Sequence, residues 1–274
     1  MAASPLDRPA LLDALIETAQ EAGAAIVRVF NAGFAVESKA DDSPVTVADR
    51  DAEAIILKAL WALTPEIPVV AEEEAAAGRT PEVGRCFWLV DPLDGTREFV
   101  RRGSDFTVNI GLIEDGRPSL GVIFAPALER LFAGDAAEGR AWREDKGERR
   151  RLRVRAPPSA LSVVASRSHP SAATERYLRG LPVGERVQIG SSLKLCLIAA
   201  GEADLYPRPS PTMEWDTAAG HAILLAAGGR VLGLDGAPLA YGKRDFLNPG
   251  FVATGPFDPP PLGPFVDGEA QEVC

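Results

Sequence analysis

Histidine is nearly absent from this chain: His169 and His221 are the only two in 274 residues. A phosphatase that uses several imidazoles in one reaction is therefore disfavoured. Cysteine is almost as scarce. Cys86, Cys196 and Cys274 are odd in number, far apart and without a CxxC pair. Free thiols are expected rather than disulfides or zinc ligands, and with them a reducing, cytoplasmic setting. Positive charge is not in excess: 29 Lys and Arg face 39 Asp and Glu, a formal net charge of -10. That balance leaves no global field to draw a nucleic acid polymer or an anionic membrane. An anionic ligand would have to be met by metal ions or by a local cationic pocket. No stretch approaches the ~18 apolar residues of a membrane span, and Met1 to Pro9 holds no apolar run of the signal-peptide kind. Integral membrane association is not expected. Loose attachment to the inner face of a membrane is the most that is allowed.

What is present reads as an ordered globular chain. Apolar residues at helical spacing run from Leu11 to Phe30 and again from Thr46 to Leu63. Ile67–Val70 and Cys86–Val90 read as strands that deliver Glu72 and Asp91 to their ends. Phe106–Ile113 and Ser119–Ala125 form a hairpin over an Asp-Gly turn, and Leu131–Gly134 and Gly139–Arg143 extend that meander. A basic run, Arg149–Arg155, ends at Pro157-Pro158. Beyond it strands at Leu161–Ala165, Val187–Ile189 and Asp204–Tyr206 alternate with helices at Ser171–Leu181, Ser191–Ala200 and Asp216–Ala227. The first half thus reads as α+β and the second as α/β. The expected division is an N-terminal domain over 1–155, a C-terminal domain over 156–258 and a flexible tail over 259–274.

Carboxylates gather at the ends of these elements. In Val90-Asp91-Pro92-Leu93-Asp94-Gly95-Thr96, Pro92 is expected to stop the ladder and the turn to return Asp94 beside Asp91. Two such acids repel unless a cation sits between them, and hard oxygens suit Mg²⁺. The Gly95-Thr96 peptide opens a helix whose free N–H groups could receive phosphate. Each acid also has a plainer reading. Pro-Asp-Gly is a common turn, Glu72-Glu73-Glu74 a surface patch, and Asp216 a helix N-cap. Asp49, in Thr46-Val47-Ala48-Asp49, reads most simply as the partner in a capping box.

The strings WLVDPLDGTREF (88–99), SPVTVADRDAE (43–53), VVAEEE (69–74) and EWDTAAGHA (214–222) are together specific. They resemble the inositol monophosphatase superfamily. The strings VVASRSH, IGSSLKLCLIAAGEADLYPR and FLNPGF narrow the resemblance to its CysQ-type 3′(2′),5′-bisphosphate nucleotidases, over roughly Leu11 to Val252. The resemblance implies a layered α-β-α-β-α sandwich and two or three Mg²⁺ ions. Glu72, Asp91 and the Leu93 carbonyl would hold the first, and Asp91, Asp94 and Asp216 the second. Thr96 with Asp49 would orient and deprotonate water, so that Asp49, Thr96 and Glu72 count as catalytic; here the resemblance overrides the capping reading of Asp49. Lithium would inhibit by competing for the second ion. Ala71, where relatives often have Gly or Ser, and Arg97, where Lys is common, depart from the pattern without removing a proposed ligand.

The implied substrate is adenosine 3′,5′-bisphosphate, its 3′-phosphate being removed to leave AMP; its sulfated analogue, 3′-phosphoadenylyl sulfate, is a further candidate. Substrate contacts would come from Gly95, Thr96, Asp216, Ser166, His169, Ser191, Ser192, Lys194 and Arg208. Read without the resemblance, Lys194 is a solvated helix residue, Arg208 a loop charge and His169 an exposed loop residue. His221 and Trp215 are expected to pack. A monomer or homodimer is expected. Two alternatives remain: an inositol or sugar monophosphatase of the same superfamily, and a regulator that binds metal without catalysis.

Overall fold

The computed structural model describes residues 7–39, 43–166 and 171–266, without the side chain of Ser166. The chain opens with α1 (Arg8–Ala32), the short β1 (Glu37–Ser38) and β2 (Pro44–Val45), and α2 (Val47–Leu63). Then come β3 (Val69–Ala71), α3 (Glu72–Ala76), β4 (Cys86–Asp94) and α4 (Thr96–Val100). The meander follows as β5 (Thr107–Glu114), β6 (Arg117–Ala125), β7 (Arg130–Asp135), β8 (Arg140–Asp145) and β9 (Glu148–Arg151). The second half supplies β10 (Leu161–Ser166), α5 (Ala172–Leu178), β11 (Val183–Ile189), α6 (Leu193–Ala199), β12 (Leu205–Arg208) and β13 (Thr212–Met213). It ends with α7 (Ala218–Ala226), β14 (Arg230–Gly233), β15 (Leu247–Asn248), β16 (Phe251–Thr254) and α8 (Gly263–Val266).

Two large sheets and three helical layers result, with the two-stranded pairs β1-β2 and β13-β15 beside them. Strands β3 to β9 form one seven-stranded sheet in sequence order, antiparallel except for β3 beside β4. The other sheet runs β11-β10-β12-β16-β14, with β10 parallel to both its neighbours. Helices α1 and α2 cover the outer face of the large sheet, where Leu15, Ile26, Ile56 and Leu60 pack on Trp88, Val90, Ile110 and Leu112. Helices α6 and α7 lie between the sheets, in a core that joins Phe87, Leu89 and Ile113 to Cys196, Ile223 and Phe251. Helices α5 and α8 close the far face with Tyr177, Leu178 and Leu262. This is the α-β-α-β-α order that the resemblance implies. It is not readable from the two halves separately, because the middle layer belongs to both.

Several local expectations change. The basic run begins as edge strand β9, reached through a tight turn at Lys146 and Gly147, both at positive φ. Its exposed arginines blunt an open sheet edge. Cys86 is only half buried, whereas Cys196 is fully enclosed; Cys274 lies outside the described residues. The stretch from Pro259, expected as a flexible tail, is packed as far as Val266. Tyr177 donates to the Pro260 carbonyl at 2.9 Å, and Arg176 to that of Phe265 at 2.9 Å. Among the described residues no helix is long and apolar enough to cross a membrane.

Candidate active site

Alternation along β4 brings its acids inward. Trp88 and Val90 face the α1–α2 core, while Phe87 and Leu89 face the middle layer. Asp91 continues the latter face and lines the cavity at its end. The ladder does not stop at Pro92: Asp91 pairs with Asn109 and, past a bulge, Asp94 pairs with Thr107. Proline has no N–H to offer, and a bulge is where a ladder asks for none. Gly95 then turns the chain at φ 92°, where a Cβ would stand 2.9 Å from the Asp105 carbonyl oxygen. Only glycine fits there.

Asp216 arrives from the other half. Helix α7 lies so close to the large sheet that a Cβ on Gly121 would come within 2.2 Å of the Ala219 oxygen. Asp216 does not cap α7. Its carboxylate accepts from Met213 N at 3.1 Å and from the Thr212 hydroxyl, and Thr217 is the cap residue. Glu72, Asp91, Leu93, Asp94 and Asp216 line a single cavity of about 560 Å³. Burial pushes the Glu72 carboxyl up to about 7, with Asp216 and Glu73 adding to the rise. Burial pushes Asp94 up to about 6, helped by Asp216, and it raises Asp216 as well. Asp91 is raised well above the usual carboxylate range by burial and then by Glu72, Asp94 and Asp216. Burial is the first cause for all four acids, and crowding by neighbouring carboxylates adds to it at Glu72, Asp91 and Asp94.

The two carboxylate oxygens of Asp49 face different partners. Its Oδ2 accepts from Thr46 N at 2.7 Å, the Asp49 half of the capping box, and also from Thr46 Oγ1 at 2.8 Å. Its Oδ1 is left to accept from Thr96 Oγ1 at 3.1 Å, and the same hydroxyl lies 3.0 Å from the Leu93 oxygen. The cap thus locks the carboxylate that faces Thr96. Burial raises the Asp49 carboxyl, which favours proton acceptance.

The opposite wall is cationic. Lys194 is buried rather than solvated; its Nζ donates to the Ser191 carbonyl at 2.5 Å and stands 5.6 Å from the Tyr206 ring centre. Arg208 is half buried, not a free loop charge, and both cations depress the Asp94 and Asp216 carboxyls. Ser191, at φ 48°, has a buried hydroxyl with no partner, and Arg208 Nε likewise has none. Ser192 is committed elsewhere: its N–H donates to Asp94 Oδ2 at 2.5 Å, and its hydroxyl meets Thr107 Oγ1 and Asn109 Oδ1. Ser166 ends β10, its side chain undescribed, and His169 lies outside the described residues. His221 is buried against the Tyr241 hydroxyl at 3.1 Å, and Trp215 packs in the middle core.

Three side chains that sequence reasoning passes over shape the site. Lys39 Nζ bridges Glu72 and Glu73 at 2.6 Å each. Glu53, four residues after Asp49 on α2, accepts from the backbone of α3. Glu214, wholly buried, accepts from Gly242 N, Lys243 N and Lys243 Nζ and so anchors the turn before Asp216. An i, i+4 acid pair beside the buried Ala48, Ala52 and Ile56 is the one available signal for Glu53.

The donor set fits hard divalent cations: carboxylates and a carbonyl, with no thiolate or imidazole. Among the described residues no three of these side chains are already drawn together as ligands. Glu72 is turned to Lys39, and Asp216 to Thr212 and Met213. The convergence of Glu72, Asp91, Asp94 and Asp216 on one cavity is the observation that favours a cation among them.

A sequence model of the inositol monophosphatase family matches residues 7–256. The 3′(2′),5′-bisphosphate nucleotidase CysQ of Escherichia coli K12 is 48% identical over 244 residues, covering 88% of this chain and 98% of the relative. The crystal structure of CysQ from Bacteroides thetaiotaomicron superposes with a TM-score of 0.72 at 37% identity, covering 90% of this chain and 97% of that one. An inositol monophosphatase from Anabaena superposes with a TM-score of 0.71 at 27% identity, covering 95% and 96%.

Proposed function

The chain belongs to the inositol monophosphatase family, and from that membership we propose a divalent-metal-dependent phosphatase that removes the 3′-phosphate of adenosine 3′,5′-bisphosphate. One observation carries the reading. A single cavity has an acidic wall of Glu72, Asp91, Asp94 and Asp216 and a basic wall of Lys194 and Arg208. The acidic wall suits metal ions at a scissile phosphate. The basic wall, with the unpartnered Ser191 hydroxyl and Arg208 Nε, suits a second phosphate that is not cleaved. The relatives named as bisphosphate nucleotidases support the same substrate class.

In this reading Glu72, Asp91 and the Leu93 carbonyl hold one Mg²⁺, and Asp91, Asp94 and Asp216 hold another. Bound there, Mg²⁺ would lower the pKa of water and offset the charge of a phosphate dianion. The remaining work falls to the chain. Thr96 Oγ1, between Asp49 Oδ1 and the Leu93 oxygen, orients the attacking water. A proton taken from that water by Thr96 is balanced by the Thr96 proton passing to Asp49. Lys194 and Arg208 grip the spare phosphate, and the Gly95-Thr96 amides at the start of α4 face the cleaved one. The products are AMP and phosphate, with no covalent enzyme intermediate.

The test is a Mg²⁺ assay across adenosine 3′,5′-bisphosphate, its sulfated analogue, inositol 1-phosphate and fructose 1,6-bisphosphate. The nucleotides should have the highest kcat/KM. A preference of orders of magnitude for inositol 1-phosphate would overturn the substrate assignment and leave the phosphatase reading.

A further inference from the structure

We propose that Glu53 is a positioning residue for Glu72, holding by backbone capping the short helix on which that carboxylate is carried; the inference rests on Glu72 being a metal ligand. Helix α3 has five residues and Glu72 is its first. So short a helix does not sustain itself, since its few internal bonds do not offset nucleation. Its own cap residue, Ala71, has no side-chain acceptor. The orphan amides are met from another element instead. Glu53 Oε2 accepts from Glu73 N at 2.8 Å and Glu53 Oε1 from Glu74 N at 3.0 Å.

Two oxygens on two successive amides fix the rotation of the helix as well as its position. The Cα of Glu72 immediately precedes those amides, so its side-chain direction follows the same constraint. Glu53 is itself buried, and it projects from α2 one turn after Asp49. One rigid helix therefore presents two acids to the site by different means. Asp49 reaches Thr96 directly, whereas Glu53 reaches Glu72 through the backbone. Elsewhere, partners that orient metal ligands from behind change metal affinity by roughly 10–100-fold when removed.

Three variants test this: Glu53→Gln, Glu72→Ala and the double substitution. Glutamine keeps size but turns one acceptor into an N–H₂ that cannot receive an amide. Mg²⁺ binding is read by calorimetry without substrate, and the protection of the Glu73 and Glu74 amides by hydrogen exchange without metal. E53Q should lose protection at one or both amides and weaken Mg²⁺ binding by about tenfold or more. KM for the nucleotide at saturating Mg²⁺ should change little. Glu53→Asp, which restores both acceptors with a shorter reach, should recover part of the affinity. The double variant should bind Mg²⁺ no more weakly than E72A alone. Lost protection with unchanged Mg²⁺ affinity, or additive losses in the double variant, would overturn the positioning role and leave a plain cap. Unchanged Mg²⁺ binding in E72A would instead remove the ligand reading. If E53Q does not fold, the E53D binding and exchange data decide the matter by the same criteria.

Discussion

Asp49 is the residue whose capping contact and proposed catalytic contact are most sharply separable. It is 2% exposed, and its two oxygens serve different masters: Oδ2 closes the capping box with Thr46, while Oδ1 faces the Thr96 hydroxyl. In Asp49→Asn the amide N–H₂ replaces one of them. At the Oδ2 position it would leave the Thr46 N–H without an acceptor, at about 1–3 kcal/mol. At the Oδ1 position the cap survives, and Thr96 can donate to the Leu93 oxygen while accepting from the amide. The second arrangement wins on that difference. The variant should then unfold within about 2–4 °C of the parent, the shift about 1 kcal/mol brings to a chain of this size. Its chemistry should not survive, because the Thr96 hydroxyl would face an amide N–H₂ and have no base to receive its proton. Loss of a positioned general base lowers kcat by about 10²–10⁴. Thr46→Val gives the converse. It removes the hydroxyl that accepts from Ala48 N at 3.1 Å and donates to Asp49 Oδ2 at 2.8 Å, costing about 1 kcal/mol as lost caps do, while the Thr46 N–H still holds Oδ2 and keeps Oδ1 facing Thr96. Stopped-time phosphate release at saturating Mg²⁺, beside thermal unfolding of each variant, separates the two. A kcat for D49N within about tenfold of the parent would refute the base assignment.

Three further outcomes follow from the same geometry. In the metal-free protein the folded-state carboxyls of Glu72, at about 7, and Asp94, at about 6, are raised above their unfolded values. Groups of that sign stabilise the fold at low pH and lose that contribution as pH rises from the ordinary carboxylate range through 6 to 7. Melting scans without metal should therefore show Asp91→Asn gaining on the parent between about pH 5 and pH 7; a constant difference would contradict the cluster. Gly121→Ala should destabilise by about 1–3 kcal/mol in urea titrations, because its Cβ would meet the Ala219 oxygen and push α7 from the sheet. Unchanged stability would mean that α7 can shift freely. Lys194→Met should lower kcat/KM for the bisphosphate by about tenfold or more, as loss of a charged hydrogen bond does, with far less effect on inositol 1-phosphate. Equal losses on both substrates would place Lys194 at the cleaved phosphate instead.

What can be read in the sequence follows from where chemistry sits relative to local pattern. Glu72, Asp91 and Asp94 follow apolar runs and Asp216 precedes one, so local pattern marks all four. Asp49 is pulled between cap and catalytic base because a one-dimensional reading gives each carboxylate a single use. In three dimensions the two oxygens divide the contacts, and the cap fixes the carboxylate that faces Thr96. Pro92 misleads for a related reason. Its missing N–H forbids a regular ladder but not a bulge, and the register on either side, Asp91 with Asn109 and Asp94 with Thr107, depends on β5. The layering is hidden because α7 rests on the large sheet of the first half through Gly111, Gly121 and Gly134, residues that in sequence look like strand weaknesses. Lys39 and Glu53 carry the least signal, since neither ends an element. Each acts on Glu72 across more than fifteen residues, one through its carboxylate and the other through its helix. Acids at element ends can thus be picked out from local pattern, whereas the residues that position them depend on which elements the fold brings side by side.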